Sequence, residues 1–172
     1  MPNCCLNTIV VCSADLSKFK TWLGDGKALL SKIAPTPQAL LDDNGSRGLP
    51  GGWYDWRVEK WGTKWDVDAD ITVCSDTEVN FSFDSAWGPP TRAMQTMGEL
   101  FPDISIRHAY LEEGECFVGV LTVRDGAVSD ICHTDPDTDA WKQMAVDEFG
   151  WEPWDDDSDG VVTEPQDKGS AT

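Results

Sequence analysis

The chain contains few positively charged residues and no long apolar segment. These two features argue against a DNA-binding protein and against a membrane protein. Of its 172 residues only 13 are Lys or Arg, against 31 Asp or Glu, so the formal net charge is −18. Nucleic-acid backbones are bound mainly through clustered Lys and Arg, so direct DNA binding is not expected. No stretch approaches the roughly 20 apolar residues of a membrane span, and the N-terminus lacks the basic segment of a signal peptide. We therefore expect a cytoplasmic protein that does not associate with membranes.

Recognisable catalytic and metal-binding patterns are also missing. The chain has two histidines and six cysteines, and no two cysteines have CxxC spacing. It contains no P-loop, no nucleophile elbow and no HExxH motif. His133 follows Cys132 directly, but neighbours on a strand point to opposite faces and cannot act together there. We expect no enzyme activity, no cofactor and no metal, and we interpret the cysteines as reduced, buried, small apolar residues.

One acidic run resembles a calcium loop without completing it. Asp155, Asp157, Asp159 and Gly160 stand at the first, third, fifth and sixth positions of that pattern. The twelfth position is Gln166 where the pattern requires Glu. We interpret the run as a solvated acidic segment, and millimolar calcium should barely move the thermal midpoint.

What the chain does contain is an alternation of short apolar strands and amphipathic helices. The order is strand, helix, strand, strand, helix, strand, at residues 7–13, 16–23, 71–74, 79–83, 90–101 and 104–110. This βαββαβ order predicts a ferredoxin-like α+β domain, an antiparallel sheet with both helices on one face. A loop rich in aromatic residues is inserted after the first helix, and a hairpin with a helix follows the last strand. We expect the domain to span residues 1–149 and an acidic, flexible tail to span 150–172.

A tryptophan-rich block dominates the middle of the chain. Its members are Trp53, Tyr54, Trp56, Arg57, Trp61, Gly62, Thr63, Lys64, Trp65 and Trp87. We interpret it as a structural mini-core folded over the sheet, with Trp61 and Trp65 buried against residues 79–83. Arg57 and Lys64 are expected to pair with Asp66 or Asp84. The alternative is an aromatic platform on which bases stack while the two cations meet phosphates.

Several motifs, in the same order, resemble the YubB-type, ferredoxin-like proteins of phages and conjugative plasmids. They are the opening Pro2-Asn3-Cys4-Cys5-Leu6-Asn7, Pro35-Thr36-Pro37, Trp53-Tyr54-Asp55-Trp56-Arg57, Trp61-Gly62-Thr63-Lys64-Trp65-Asp66, Phe83–Pro90 and Tyr110-Leu111-Glu112-Glu113. The resemblance covers roughly residues 2–124. It implies the same fold and a mobile genetic element acting in a bacterial host cytoplasm, and it implies no reaction.

The acidic charge is concentrated after residue 102. Residues 103–172 hold 18 acidic and 4 basic residues, a net of −14, while residues 1–102 hold 13 and 9, a net of −4. The candidate partner-binding residues are Asp135, Asp137, Asp139, Trp141, Asp147, Glu148, Trp151, Trp154, Asp155, Asp156, Asp157 and Asp159. Carboxylates would steer association and tryptophans would anchor it.

Together these observations predict a non-enzymatic accessory protein that inhibits a host defence system, of the anti-CRISPR or anti-restriction type. Its partner would be a nuclease or another nucleic-acid-handling effector, held by an acidic surface that imitates DNA. The alternative is an RNA- or ribonucleoprotein-binding module that uses the sheet and the tryptophan block.

Overall fold

The structure is a computed structural model that describes residues 3–42 and 50–152. These residues form a six-stranded sheet and six helices. The elements in chain order are β1 Cys4–Cys12, α1 Ser17–Leu23, α2 Leu29–Ile33, α3 Gln38–Asp42, α4 Trp53–Trp61, β2 Asp70–Cys74, β3 Glu78–Ala86, α5 Thr91–Leu100, β4 Ser105–Glu112, β5 Phe117–Arg124, β6 Ala127–His133 and α6 Asp139–Phe149.

The sheet has the ferredoxin-like strand order with two strands added at one edge. The spatial order is β2-β3-β1-β4-β5-β6, and every neighbouring pair is antiparallel. β1 lies at the centre, pairing with β3 from Cys4↔Ala86 onward and with β4 from Leu6↔Leu111 onward. The predicted fold class is therefore confirmed, including the C-terminal hairpin and helix.

The main core lies between one face of the sheet and the helices α1, α2, α4 and α5. Along β1, β3 and β4 every second side chain is buried on this face, as alternation in a half-buried strand requires. Phe19 of α1 packs edge-on against Phe101, which follows α5, with ring centroids 5.4 Å apart. Trp61 is fully buried in the same cluster. We call this the helix side of the sheet.

The last helix, α6, packs on the opposite face, which we call the open face. Leu111 of β4 and Val118 of β5 point to it and form a separate apolar cluster with Trp141 and Ala145. The predicted arrangement of α1 and α5 on one face holds, and α6 adds a partial third layer. Because α6 contacts β4 and β5, the half of the open face formed by β1, β2 and β3 is left uncovered.

The inserted segment differs from the loop that the composition predicts. Residues 53–61 form the helix α4, which ends at Gly62 with φ 93°. Residues 29–33, ambiguous in sequence, form the helix α2, whose Leu30 and Ser31 N–H groups donate to the Asp66 carboxylate. A carboxylate at a helix N-terminus satisfies amides that have no partner within the helix. The helix α2 thus depends on a contact from a distant part of the chain.

The prediction that the cysteines are buried is wrong for most of them. Only Cys5 is buried, while Cys4, Cys74 and Cys132 are exposed and the other two are half-buried. The exposed three lie at the first residue of β1 and on the edge strands β2 and β6, where a side chain has fewer neighbours to pack against. Burial raises the pKa of the Cys5 thiol to about 12, so this thiol stays protonated. Among the described residues, no helix is both long and apolar enough to cross a membrane.

Candidate functional site

An acidic groove occupies the uncovered half of the open face. Asp70 of β2, Asp84 of β3 and Asp68, just before β2, border a cavity of about 290 Å³ whose walls include Leu6 and Phe149. Asp70 lies opposite Ser82 in the sheet, two residues from Asp84, so strand pairing brings these carboxylates to one surface. We call these residues the acidic groove.

The charges of the groove are only partly balanced. Asp68 pairs with Lys27 at 3.0 Å, and the amide of Ala28 donates to the same carboxylate. These contacts lower the pKa of Asp68, the backbone hydrogen bond contributing most. Within the described ranges neither Asp70 nor Asp84 forms an ion pair, so two exposed negative charges remain available to a partner.

The predicted partner-binding carboxylates lie around α6. Asp135, Asp137 and Asp139 are exposed at its N-terminal end, and Asp147 is exposed on its outer side. Glu148 differs, because it forms an ion pair with Arg107 of β4 and is mostly covered. Trp154, Asp155, Asp156, Asp157 and Asp159 lie outside the described residues, as does the calcium-like run.

The prediction that Trp141 is a partner anchor is wrong. Its side chain is 2% exposed, and its indole N–H donates to the carbonyl of Cys116 at 2.9 Å. Trp151 is half-buried and packs edge-on against Trp141, with ring centroids 5.1 Å apart. Both rings hold α6 against the sheet. Trp141 lies with Met144, Ala145 and Phe149 on the face that α6 buries, as their helical spacing requires.

The tryptophan block is divided between core and surface. Trp61 is fully buried, as predicted, and donates its indole N–H to the carbonyl of Ala34 at 2.8 Å. Trp65 is 44% exposed, so its predicted burial is wrong. It follows Gly62, where the chain leaves α4, and its ring covers Lys64 instead of entering the core.

The two cations of the block contact aromatic rings instead of carboxylates. The Arg57 guanidinium lies 4.7 Å from the Trp61 ring centroid and also donates to Thr36 Oγ1. The Lys64 ammonium lies 4.3 Å from the Trp65 ring and 3.8 Å from the Trp87 ring. The predicted ion pairs with Asp66 and Asp84 are wrong, because Asp66 binds the amides of α2 and Asp84 belongs to the acidic groove on the other face.

A small pocket adjoins these rings. Tyr54, Val58, Gly62, Lys64, Trp87 and Gly88 are among its lining residues, and its volume is about 220 Å³. Trp87 is 52% exposed and has φ 68°. We call this cavity the Trp87 pocket. The sequence predicted the residue types here but not that some of them form a surface cavity.

A buried polar network lies on the helix side, between β1, β3 and β4. The Asn7 amide nitrogen donates to Ser85 Oγ at 2.9 Å and to two backbone carbonyls. Its oxygen lies 2.8 Å from His108 Nε2, which must therefore carry the proton. His108 is fully buried, its Nδ1 has no partner, and burial lowers its pKa to about 3.

The network continues to the edge of the sheet through Tyr110. The Tyr110 hydroxyl donates to Asp130 of β6 at 2.7 Å, and burial, followed by this bond, raises the pKa of the tyrosine. A Cβ at Gly119 would lie 2.3 Å from that hydroxyl, so glycine makes room for the ring. These groups tie β1, β4, β5 and β6 together, and His108 cannot reach a substrate in solvent.

The described part of the chain contains no cluster of side chains that could bind a metal ion. No three His, Cys, Asp or Glu side chains there lie close enough to coordinate one ion. The acidic groove brings carboxylates to one surface without forming such a cluster.

Comparison with known proteins gives one family and one solved structure. Residues 60–151 match the family model described as the ferredoxin-like domain in Api92-like protein. The crystal structure of a protein api92 from Yersinia pseudotuberculosis is similar, with 23% sequence identity and a TM-score of 0.49. The match covers 59% of this chain and 39% of that one, so this chain corresponds to about two fifths of its length. No curated protein matches the chain.

Proposed function

The chain belongs to the family of Api92-like proteins with a ferredoxin-like domain, and within that family we propose that it is a non-enzymatic inhibitor of a nucleic-acid-handling protein. The partner would be a bacterial defence effector, such as a nuclease or CRISPR-type complex. The origin would be a phage or a conjugative plasmid, as the motif resemblance implies. The inhibitor would fill the effector's basic groove with its own acidic surface in the host cytoplasm.

One observation carries this proposal: exposed carboxylates from separate elements flank α6 on the open face. Asp135, Asp137 and Asp139 lie at its N-terminal end. The acidic groove lies beside Phe149 at its C-terminal end. The 11 residues of α6 separate these groups by about 16 Å. An array of negative charge on this scale, of which only Asp68 is paired with a cation among the described residues, matches a groove built to bind phosphates.

Exposed apolar side chains lie beside the carboxylates of this surface and could hold a partner that the charges attract. The apolar residues beside the carboxylates, Leu6 and Val146, are each more than 40% exposed. Exposed charges raise the rate of encounter, and apolar contacts at the centre slow dissociation. A partner would therefore find the surface by its charge and be retained around these apolar side chains.

The buried ionisable groups support a role without chemistry. His108 is neutral and enclosed, and Tyr110 is bound to Asp130 inside the fold. Neither lines the acidic groove or the Trp87 pocket.

The alternative of RNA binding across the sheet is less well supported. Proteins that bind RNA on such a sheet offer aromatic rings on its open face. Here the uncovered half of that face carries Asp70 and Asp84, and α6 covers part of β4 and β5. Carboxylates at these positions would repel a phosphate backbone.

The proposal can be tested by capture followed by competition. The tagged full chain is incubated with nuclease-treated lysate of a bacterial host, and a captured nucleic-acid-binding protein is purified. Adding the chain should abolish that protein's binding to DNA or RNA, and inhibition should weaken steeply as salt rises. A captured protein that binds nucleic acid equally well in the presence of the chain would contradict the proposal.

A matched pair of variants locates the surface. Asp70→Asn with Asp84→Asn should weaken inhibition by about tenfold, because both unpaired charges of the groove are removed. Asp103→Asn with Asp125→Asn changes the net charge equally at a different cavity and should have less than about a twofold effect. Equal effects of the two pairs would mean that only net charge matters.

A further inference from the structure

We propose that the Trp87 pocket binds a nucleotide, with the base against the half-exposed Trp87 ring and a phosphate on the Lys64 ammonium. This site is separate from the acidic groove, and the inference does not depend on the proposed inhibition. The nucleotide could be free or could belong to a single strand, because both present the same base and phosphate.

The backbone at Trp87 is the first observation. Trp87 has φ 68°, and the N–H of Gly88 donates to the carbonyl of Ala86 at 2.9 Å. This combination is a γ-turn with positive φ, a rare and strained form for a residue with a side chain. The Trp87 N–H is held by the carbonyl of Asn3 at 2.9 Å. The fold therefore maintains a costly conformation that leaves a large ring half exposed.

The second observation is how the neighbouring loop supports that turn. Gly62 has φ 93°, and a Cβ there would lie 2.9 Å from the carbonyl oxygen of Pro89. Thr63 donates from its hydroxyl to the carbonyl of Ala86 at 2.8 Å. The end of α4 and the Trp87 turn are thus packed together, and the pocket between them is preformed.

The charges of the residues that line the Trp87 pocket favour an anionic ligand. None of the eight described residues that line the pocket is acidic, although the chain carries a net charge of −18. Lys64 is the one charged residue among them, and it forms no ion pair within the described ranges. Because its ammonium already occupies the position between the Trp65 and Trp87 rings, a second cation would be repelled there. An anionic ligand is therefore favoured over a cationic one.

The volume of the Trp87 pocket favours a single ring system such as a nucleotide base. The volume of about 220 Å³ is below the roughly 300–1,000 Å³ of pockets for drug-sized ligands. It fits one ring system and not a folded peptide. Aromatic side chains stack on any base, and a single lysine supplies the phosphate contact. Asp55 and Glu59 adjoin the lining residues Tyr54 and Val58 in α4 but do not line the pocket, and Glu59 pairs with Lys60. Carboxylates farther away than about 8 Å are screened at physiological salt.

The test measures nucleotide binding to the full chain with the indole N–H signals of ¹⁵N-labelled tryptophan. Uridine and adenosine monophosphates are titrated, and a short oligouridylate and oligoadenylate are titrated in parallel. We expect saturable shifts of the Trp87 signal with millimolar or tighter affinity. Equal affinities for monomer and oligomer identify a free nucleotide as the ligand, and at least tenfold tighter oligomer binding identifies a single strand. No saturable shift with any of the four would overturn the proposal.

Variants separate the roles of the ring and the ammonium. Trp87→Gly relieves the backbone strain while removing the ring, so the protein should stay folded and lose at least tenfold in affinity. Lys64→Gln should weaken binding and lower the slope of log affinity against log salt by about 1. Lys60→Gln, with the same charge change at an exposed residue outside the pocket, should leave both unchanged.

Two results would overturn the assignment even if ligands bind. One is nucleotide binding that Trp87→Gly leaves unchanged, which would place the site elsewhere. The other is a guanidinium or trimethyl-lysine peptide that saturates the pocket when nucleotides do not, which would make it a cation site.

Discussion

At the scale of single residues, two tryptophans of the same block have different roles because the chain turns between them. Trp61 and Trp65 are four positions apart, yet one is fully buried and the other is 44% exposed. Trp61 is the last residue of α4 and faces the core, whereas Trp65 follows the left-handed turn at Gly62. The direction of the chain after that turn decides which tryptophan is structural.

Replacing Trp61 tests this division. Trp61→Ala should lower the free energy of unfolding by about 3–5 kcal/mol, since it leaves a large cavity and removes a hydrogen bond to Ala34. Trp65→Ala is the control and should cost about 1 kcal/mol, mainly its contact with Lys64. Urea unfolding measures both. A loss below about 1 kcal/mol for Trp61→Ala would refute its role in the core.

His108 makes stability depend on pH. Its pKa in the folded protein is about 3, below the ordinary 6.5, so between these values the unfolded chain binds a proton that the folded protein does not. Stability is therefore lost as pH falls below 6.5. Between pH 7 and pH 5 this group should cost about 2 kcal/mol, at about 1.4 kcal/mol per pH unit.

Urea unfolding of His108→Gln at the two pH values checks this expectation. The glutamine amide can still donate to Asn7, but it does not titrate. The variant should lose about 2 kcal/mol less than the wild-type protein between pH 7 and pH 5. Equal losses would show that the carboxylates alone cause the dependence.

At the scale of elements, the strands were predictable, whereas three of the six described helices, α2, α3 and α4, were not. β1 and β3 alternate buried residues with more exposed ones, a pattern that depends only on local geometry. In α4, charged residues such as Arg57 and Glu59 interrupt the apolar positions, so composition suggests a loop. α2 has five residues, and its N-terminal amides bind Asp66, 36 positions after Leu30. Sequence periodicity cannot reveal a partner at that distance.

The candidate sites were harder to predict for the same reason. The wet face of β3 follows from alternation, and this pattern could have placed Asp84 there. Asp70 joins it only through the pairing of β2 with β3, whose register shifts between Ile71 and Val73. The Trp87 turn depends on contacts with Asn3 and Gly62. The sequence shows which residue types are present, but only the folded structure shows that they lie close together.

The docking of α6 gives a prediction at this scale. Trp141 belongs to an apolar cluster separate from the main core. Trp141→Ala should therefore loosen α6 while β1 and β3 remain folded. Hydrogen exchange should show amides of α6 losing at least tenfold in protection and amides of β1 changing little. Equal loss in both elements would mean that the two clusters unfold as one unit.

At the scale of the whole molecule, the position of its C-terminal boundary can be measured. The sequence places the domain end at residue 149, but Trp151 packs on Trp141 and its N–H donates to the carbonyl of Ala145. A chain ending at Glu152 should keep the full urea midpoint, and one ending at Phe149 should lose about 1–2 kcal/mol. Identical midpoints would show that Trp151 contributes nothing.

The chain that ends at Glu152 also tests whether the acidic residues after position 152 contribute to partner binding. If they steer association, the chain ending at Glu152 should bind its partner with a lower on-rate and an almost unchanged off-rate. In the full chain, neutralising Asp155, Asp156, Asp157 and Asp159 to Asn should have the same effect, and Trp154→Ala should mainly raise the off-rate. Inhibition by the shortened chain equal to that of the full chain would assign these residues to solubility alone.

The central place of β1 has a consequence for synthesis on the ribosome. β1 is translated well before both of its neighbours, because Cys12 pairs with Glu78 and with Ser105. At about 5–20 residues per second, the nascent chain carries this apolar strand without a partner for roughly 3–13 s. During that interval its backbone groups can pair with other chains. Production of this protein in cells should therefore depend on chaperones that cover β1 as it emerges, even though the finished sheet encloses that strand on both sides.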